Sequence, residues 1–172
     1  MHLSDESHEV EVTYHKDTIE KVCETYNTDV NKGLTAEQVA INQEKSGKNK
    51  NFGEYVKIQN YTRCKRDGEF QNILSKGLTI GDIISLKAPQ IVPADIRIVE
   101  ASEDCKVNRS GLTAESEPQK VSVENTHANP LETENVAFAS TKITTGTCTG
   151  IVVNVGKSTI IGRLAGLNSP LQ

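Results

Sequence analysis

A chain of 172 residues with 35% hydrophobic side chains suffices for one compact domain with a short appendage and excludes a large multi-domain enzyme. Aromatics make up 4% and tryptophan is absent, so the core must be built from Val, Ile, Leu and Ala, which suits strands better than an aromatic-lined nucleotide or haem pocket. A formal charge of -4 supplies no basic stripe for nucleic acid or anionic lipid.

Residues 1–15 read as a flexible, acidic N-terminal tail without the apolar stretch of a signal peptide. In it "HEVEVTYH" sets His8 and His15 too far apart for a helical H-E-x-x-H zinc site, so both are expected on an exposed tail. Residues 16–50 read as a helical segment. Ile19, Val22, Cys23 and Tyr26 share one face, Thr35 and Gln38 form a capping box ahead of Val39 and Ile41, and Gly33 and Gly47 stand where helices end.

Residues 51–77 mix Lys, Arg, Asn and Gly with isolated aromatics and read either as a solvated linker or as a first exposed hairpin around Asp67-Gly68. From Leu78 the pattern is β: "LTIGDIISLKA", "DIRIVEA", "ENVAFAS" and "TGIVVNVG" are short β-branched runs separated by Gly, Pro, Asn and Ser, as in an antiparallel sandwich or barrel. Val92, Ile96, Ile98, Leu131, Val136, Ile151 and Val153 are expected in its core. "STIIGRLAGL" returns to helical spacing through Ile160, Ile161, Leu164 and Leu167, and residues 168–172 read as a tail.

Several motifs invite chemistry and do not sustain it. Cys23, Cys64, Cys105 and Cys148 lack paired C-x-x-C spacing, so reduced thiols and no metal are expected. "GIVVNVGKST" ends like a phosphate-binding loop, but Gly150 is one residue too far from Gly156 and the intervening Ile151, Val152, Val153 and Val155 are strand formers. No nucleotide is expected there. In "ITTGTCTG", Ile143 occupies the place a phosphoryl-accepting aspartate would need. His127 reads as a surface residue, and Asn60-Tyr61-Thr62 and Asn108-Arg109-Ser110 as chance glycosylation matches. No run approaches the roughly 18 apolar residues of a membrane span, so a soluble, cytoplasmic chain is expected.

Residues 78 to 167 carry "GD" at Gly81-Asp82, then "VPADIRI", "CKV", "LTAESEPQ", "NPLET", "NVAF", "GIVV" and "TIIGR" in that order. This series resembles the actuator domain of P-type cation pumps, closest to the sodium/potassium- and proton/potassium-transporting ATPase α subunits, and "YNTDVNKGLTAEQVA" resembles the helical segment before the family's first membrane helix. The resemblance implies a mainly β, distorted antiparallel sandwich or jelly-roll-like domain (78–167) with a small N-terminal helical segment and a C-terminal helix. It implies that this unit turns as a rigid body in the transport cycle. The family's tip reads T-G-E-S, and its glutamate orients the water that hydrolyses the aspartyl phosphate of a separate domain. Here Thr113, Ala114, Glu115 and Ser116 occupy those positions. A carboxylate there can take a proton from water, and hydroxyls can bond phosphate.

The departures are specific. Ala114 replaces the motif's glycine, costing on the order of 1 kcal/mol wherever a left-handed backbone is required and crowding a close phosphate. "APQI", Ala88 to Ile91, stands for a charged turn, Glu134 for a basic residue and Lys157 for an acidic one. Such charges set docking specificity. The family's first two membrane helices are expected to be skipped, since only "FGEYVKIQ" stands in their place.

Three readings follow. The chain is the actuator portion of a sodium/potassium-type pump, partnered by phosphorylation and nucleotide-binding domains at the cytoplasmic face of the plasma membrane, with ATP and Mg held elsewhere in the complete pump. Alternatively it is a freestanding regulatory or binding module with another cytosolic partner, or an independent hydrolase using Glu115, which has no metal set or nucleophile in the surrounding sequence.

Overall fold

Alternation of apolar and polar side chains after residue 60 produces sheet, and helical spacing before residue 47 produces helices. The computed structural model describes residues 2–5, 8–50 and 58–168. The start of the junction at 51–57, the end of the tail at 169–172 and residues 1, 6 and 7 of the expected N-terminal tail lie outside the described residues.

Two short strands, β1 (His2–Asp5) and β2 (His8–Glu11), pair antiparallel. Helices α1 (Ile19–Tyr26) and α2 (Ala36–Ser46) follow, and α2 carries the expected capping box of Thr35 and Gln38. The hairpin reading of the next segment is the correct one, not the linker. β3 (Tyr61–Arg66) and β4 (Glu69–Leu74) pair in full register across Asp67 and Gly68, whose φ values of 51° and 82° suit a two-residue hairpin turn. Since β3 also pairs with β5 (Ile83–Lys87), the β unit begins at residue 61 and not at 78.

The remaining strands are β6 (Asp95–Ala101), β7 (Lys106–Asn108), β8 (Gln119–Lys120), β9 (Val136–Ala137), β10 (Lys142–Thr145) and β11 (Thr147–Asn154). A six-stranded sheet runs β4-β3-β5-β11-β6-β9 and a three-stranded sheet β10-β7-β8, every strand pair antiparallel. Helix α3 (Ile160–Asn168) closes the described chain, so Asn168 ends a helix instead of starting a tail.

One expected core is two. Ile84, Leu86, Val92, Ile96, Ile98 and Val152 pack with Val107, Val121 and Ile143 between the sheets. The strand positions between them, Ile83, Ile151, Val153 and Val136, pack with Tyr14, Val22, Phe138 and Ile160 on the other face, where Leu131 is only half-buried. Period-two alternation thus buries both faces of the central strands, one under the small sheet and one under the N-terminal segment and α3.

That second layer overturns the exposed-tail reading of residues 12–15. Val12, Tyr14 and His15 are buried. The buried Arg97 donates to the carbonyls of Tyr14 (2.9 Å), Asp17 (3.2 Å), Val123 (3.1 Å) and Ile98. Asn135 donates to the His15 carbonyl at 2.9 Å, and His15 Nε2 donates to the Ala128 carbonyl at 2.7 Å. At the hairpin, Gly68 N donates to Lys32 O at 2.7 Å and Asp67 N to Leu34 O at 3.0 Å. Arg66 clamps Asp82 through two bonds of 2.9 and 2.7 Å, the bidentate geometry that makes a guanidinium–carboxylate pair strong.

Candidate functional site

The stretch from Ser110 to Pro118 links β7 to β8, and its sequence explains its shape. Asn108 Oδ1 accepts from Ser110 N at 2.8 Å, an Asx turn that diverts the chain from the strand. Arg109 O then accepts from Leu112 N at 2.8 Å and Thr113 N at 2.9 Å. Leu112 is half-buried against the second core, so the loop has a tightly bonded root and one apolar anchor.

All four predicted residues lie on the part that projects. Thr113 and Glu115 are half-buried, and Ala114 and Ser116 are exposed. The Thr113 hydroxyl reaches Arg109 O at 3.4 Å and the Glu115 carboxylate at 3.5 Å, distances at the outer limit of a hydrogen bond. The tip is therefore held by its root and little by itself. Three concavities of about 700, 260 and 550 Å³ are lined by other residues. Ala114 sits outside the left-handed region: the described non-glycine residues with positive φ are Asn27, Asp67 and Ser140.

The residue that organises this root is Arg109, which sequence reasoning passed over. Its side chain is buried and donates through Nη1 to Leu131 O (2.7 Å) and through Nη2 to Thr133 O (3.1 Å), tying the loop to "NPLET" at 129–133. Burial pulls its pKa below the usual guanidinium range, while the charges of Glu115, Glu134 and Glu132 pull it back up. Its Nε has no hydrogen-bond partner among the described residues. No local signal marks Arg109, because both carbonyls it binds lie more than twenty residues downstream.

The residues singled out by charge are placed apart. Glu134 accepts from the Ser122 hydroxyl at 3.1 Å and belongs to the Arg109 surroundings. Gln90 accepts from Lys87 N at 3.0 Å, and the Gln59 amide bonds both Ile91 N (3.2 Å) and Ile91 O (2.8 Å), which seals the 88–91 turn without charge. Lys157 is exposed on a short 3-10 turn beginning at Gly156, and Ile151 to Val153, where a phosphate loop would turn, are strand. His127 is on the surface, paired to Glu132 at 2.8 Å. Among the described residues no cluster of side chains is arranged to hold a metal, and no helix is long and apolar enough to cross a membrane.

A family profile described as P-type ATPase actuator domain matches residues 56–168, and one described as cation transporter/ATPase, N-terminus, matches residues 14–51. Potassium-transporting ATPase alpha chain 2 of Rattus norvegicus is 53% identical over 104 residues, covering 60% of this chain and 10% of that one. Sodium/potassium-transporting ATPase subunit alpha of Drosophila melanogaster is 48% identical over 115 residues, 67% of this chain and 11% of that one. A solved structure of a zinc-transporting PIB-type ATPase in the E2.Pi state aligns with a TM-score of 0.49 and 23% identity over 67% of this chain and 18% of that one. The chain thus spans about a tenth of the length of these curated relatives.

Proposed function

The chain belongs to the P-type ATPase actuator-domain family, and from that premise we propose that it acts as the actuator portion of a sodium/potassium- or proton/potassium-type cation pump, at the cytoplasmic face of the membrane. Its partners are the phosphorylation and nucleotide-binding domains of such a pump, which hold ATP and Mg. The observation that carries the proposal is the placement of Thr113, Ala114, Glu115 and Ser116 together on one loop, half-buried or exposed and none of them buried, above a root fixed by Arg109.

A protruding tip can enter a partner's phosphate site, where the Glu115 carboxylate accepts a proton from the attacking water. The hydroxide oxygen bonds to phosphorus, the bond from phosphorus to the aspartyl oxygen breaks, and inorganic phosphate leaves. Thr113 and Ser116 supply hydroxyls to phosphate or to the loop. Ala114 puts a methyl group on the surface that must come closest.

The test is to graft residues 113–116 into a complete sodium/potassium-type pump and follow the phosphoenzyme. We expect it to form from ATP at the ordinary rate and to decay at least about tenfold more slowly, a loss of roughly 1.4 kcal/mol in the transition state; restoring glycine alone should recover turnover. Decay at the ordinary rate with Ala114 present would remove the assigned role of that position. In a second graft carrying residues 78–167 whole, slow decay even with glycine at position 114 would shift the cause to the altered positions Gln90, Ile91 and Glu134.

A further inference from the structure

The outer face of the six-stranded sheet changes character along its length. Ile83, Ile151 and Val153 lie under the N-terminal segment, but the same face continues into Ser85, Thr149, Lys87 and Thr147, which pair in register as Ser85 with Thr149 and Lys87 with Thr147. Over these hydroxyls opens a bowl of about 700 Å³, closed at one end by Ile19 and Val30. That volume falls within the usual range of small-molecule sites.

Its charge is one-sided. Arg63, Lys65 and Lys87 line it against the single Glu100 carboxylate. None of the three cations is in an ion pair among the described residues. Asp29 lies near enough to Lys65 to feel its charge, yet its Oδ1 already accepts from Asn31 N (2.7 Å) and Lys32 N (3.0 Å). Arg63 and Lys65 both stand over the Phe70 ring, at 4.5 and 4.9 Å from its centre. The ring's negative face softens their mutual repulsion, and an anion between them would do so more fully.

We propose that this bowl binds a small soluble polyol bearing two phosphate groups. The spacing of the cations selects two anions. Arg63 faces Ser85 across one strand gap and Lys87 lies two residues further along β5, which separates their Cα atoms by about 8 Å, and Lys65 from Lys87 by about 14 Å. One phosphate rests between Arg63 and Lys65, the other at Lys87, and the connecting hydroxyls meet Ser85 and Thr149. Phosphomonoesters are close to doubly charged at neutral pH, which fits unpaired cations at both ends. A nucleotide fits worse, because the Phe70 face that would stack a base is occupied by the two cations. The cations line a concavity that runs from the hairpin to Glu100–Ser102, a shape that suits a small soluble ligand better than a flat bilayer surface.

The experiment titrates nitrogen-labelled chain with fructose bisphosphate, which carries one phosphate on each terminal carbon, and follows amide shifts by NMR. We expect saturable binding with shifts at Arg63 to Lys65, Ser85 to Lys87 and Thr147 to Thr149. Affinity should fall about tenfold or more for fructose monophosphate, and likewise for Arg63→Ser and for Lys87→Ser, each exposed and therefore replaceable without unfolding the chain. Equal affinity for mono- and bisphosphate, shifts confined to the surroundings of Lys157 and Arg163, or affinity unchanged in both variants would overturn the proposal. So would association with vesicles containing phosphatidylinositol bisphosphate but no response to the soluble sugar, which would assign the surface to a membrane.

Discussion

Replacing Ala114 by glycine separates two costs that the family resemblance leaves joined: backbone strain and crowding at the docked surface. In this structure Ala114 is exposed and its φ is not positive, so no strain is stored in the free chain. Glycine then acts mainly on the unfolded state, adding conformations that folding must give up, and should destabilise by about 0.4–1 kcal/mol. For a chain of this size the midpoint of thermal unfolding should fall by about 1–4 °C, at roughly 2–4 °C per kcal/mol. Circular dichroism melts of the two proteins, with urea unfolding as a check that the m-value is unchanged, measure this directly. A melting point that rises on introducing glycine would mean that position 114 holds a left-handed backbone, and the reasoning would be wrong. With the expected fall in hand, any slowing of phosphoenzyme decay in the grafted pump belongs to the methyl group at the contact surface alone.

Arg109→Met should cost about 2–4 kcal/mol, because the carbonyls of Leu131 and Thr133 lose charged donors at 2.7 and 3.1 Å; it should also speed proteolysis within 110–118, and an unchanged cleavage rate would refute the anchoring role. Gly33→Ala places a Cβ 1.9 Å from the Lys65 carbonyl oxygen at a φ of +68°, so hydrogen exchange at Gly68 N should accelerate well beyond what a loss of about 1 kcal/mol explains. Burial holds the His15 pKa below 6.5, with Lys16 and Arg97 adding to the effect and the Ala128 bond opposing it; stability present above that value is lost as pH falls through it, and His15→Gln should flatten that slope in urea titrations. Burial pushes Asp95 from 3.8 up to about 6 against the bonds from Ala139, Ile160 and Asn154; folding therefore favours the protonated carboxyl relative to the unfolded chain, a contribution of up to about 3 kcal/mol present below pH 4 and lost as pH rises through about 6, and a carboxyl titration by carbon NMR at or below 4 would refute this.

What could be read from the residues was what local chemistry decides. Thr35 and Gln38 announce a capping box, and the period-two runs after Leu78 announce strands. Asp67-Gly68 announces a turn as well, but the Lys and Arg around it also suit a solvated linker, and only the pairing of β3 with β5 decides between them. The burial of His15 depends on Asn135 and Ala128, more than a hundred residues away, and no pattern near His15 carries that information. The division into two cores was equally hidden, since alternation places Ile83 and Ile84 on opposite faces without saying that both faces are covered. For the candidate loop, residue types and order were legible, whereas the backbone of Ala114 and the anchoring by Arg109 required the fold.

The same long-range bonds that escaped the sequence give the proposed function its mechanical basis. A loop that carries Glu115 to another domain's phosphate must keep its position to within a fraction of an ångström while its tip stays bare. The described chain meets both demands by placing its constraints one step behind the tip. Arg109 bonds the root to the 131–133 backbone, Leu112 packs on the second core, and that core is shared with the N-terminal segment through Tyr14 and Val22. Arg97 and the contacts of Gly68 and Asp67 lock that segment to the sheet. On the proposed function, a force applied to residues 14–50 would reach the loop through these buried hydrogen bonds and this packing. Cutting one of those ties, as in Gly33→Ala, should loosen the lever without touching the tip, so in a complete pump it should slow dephosphorylation while leaving phosphorylation from ATP intact.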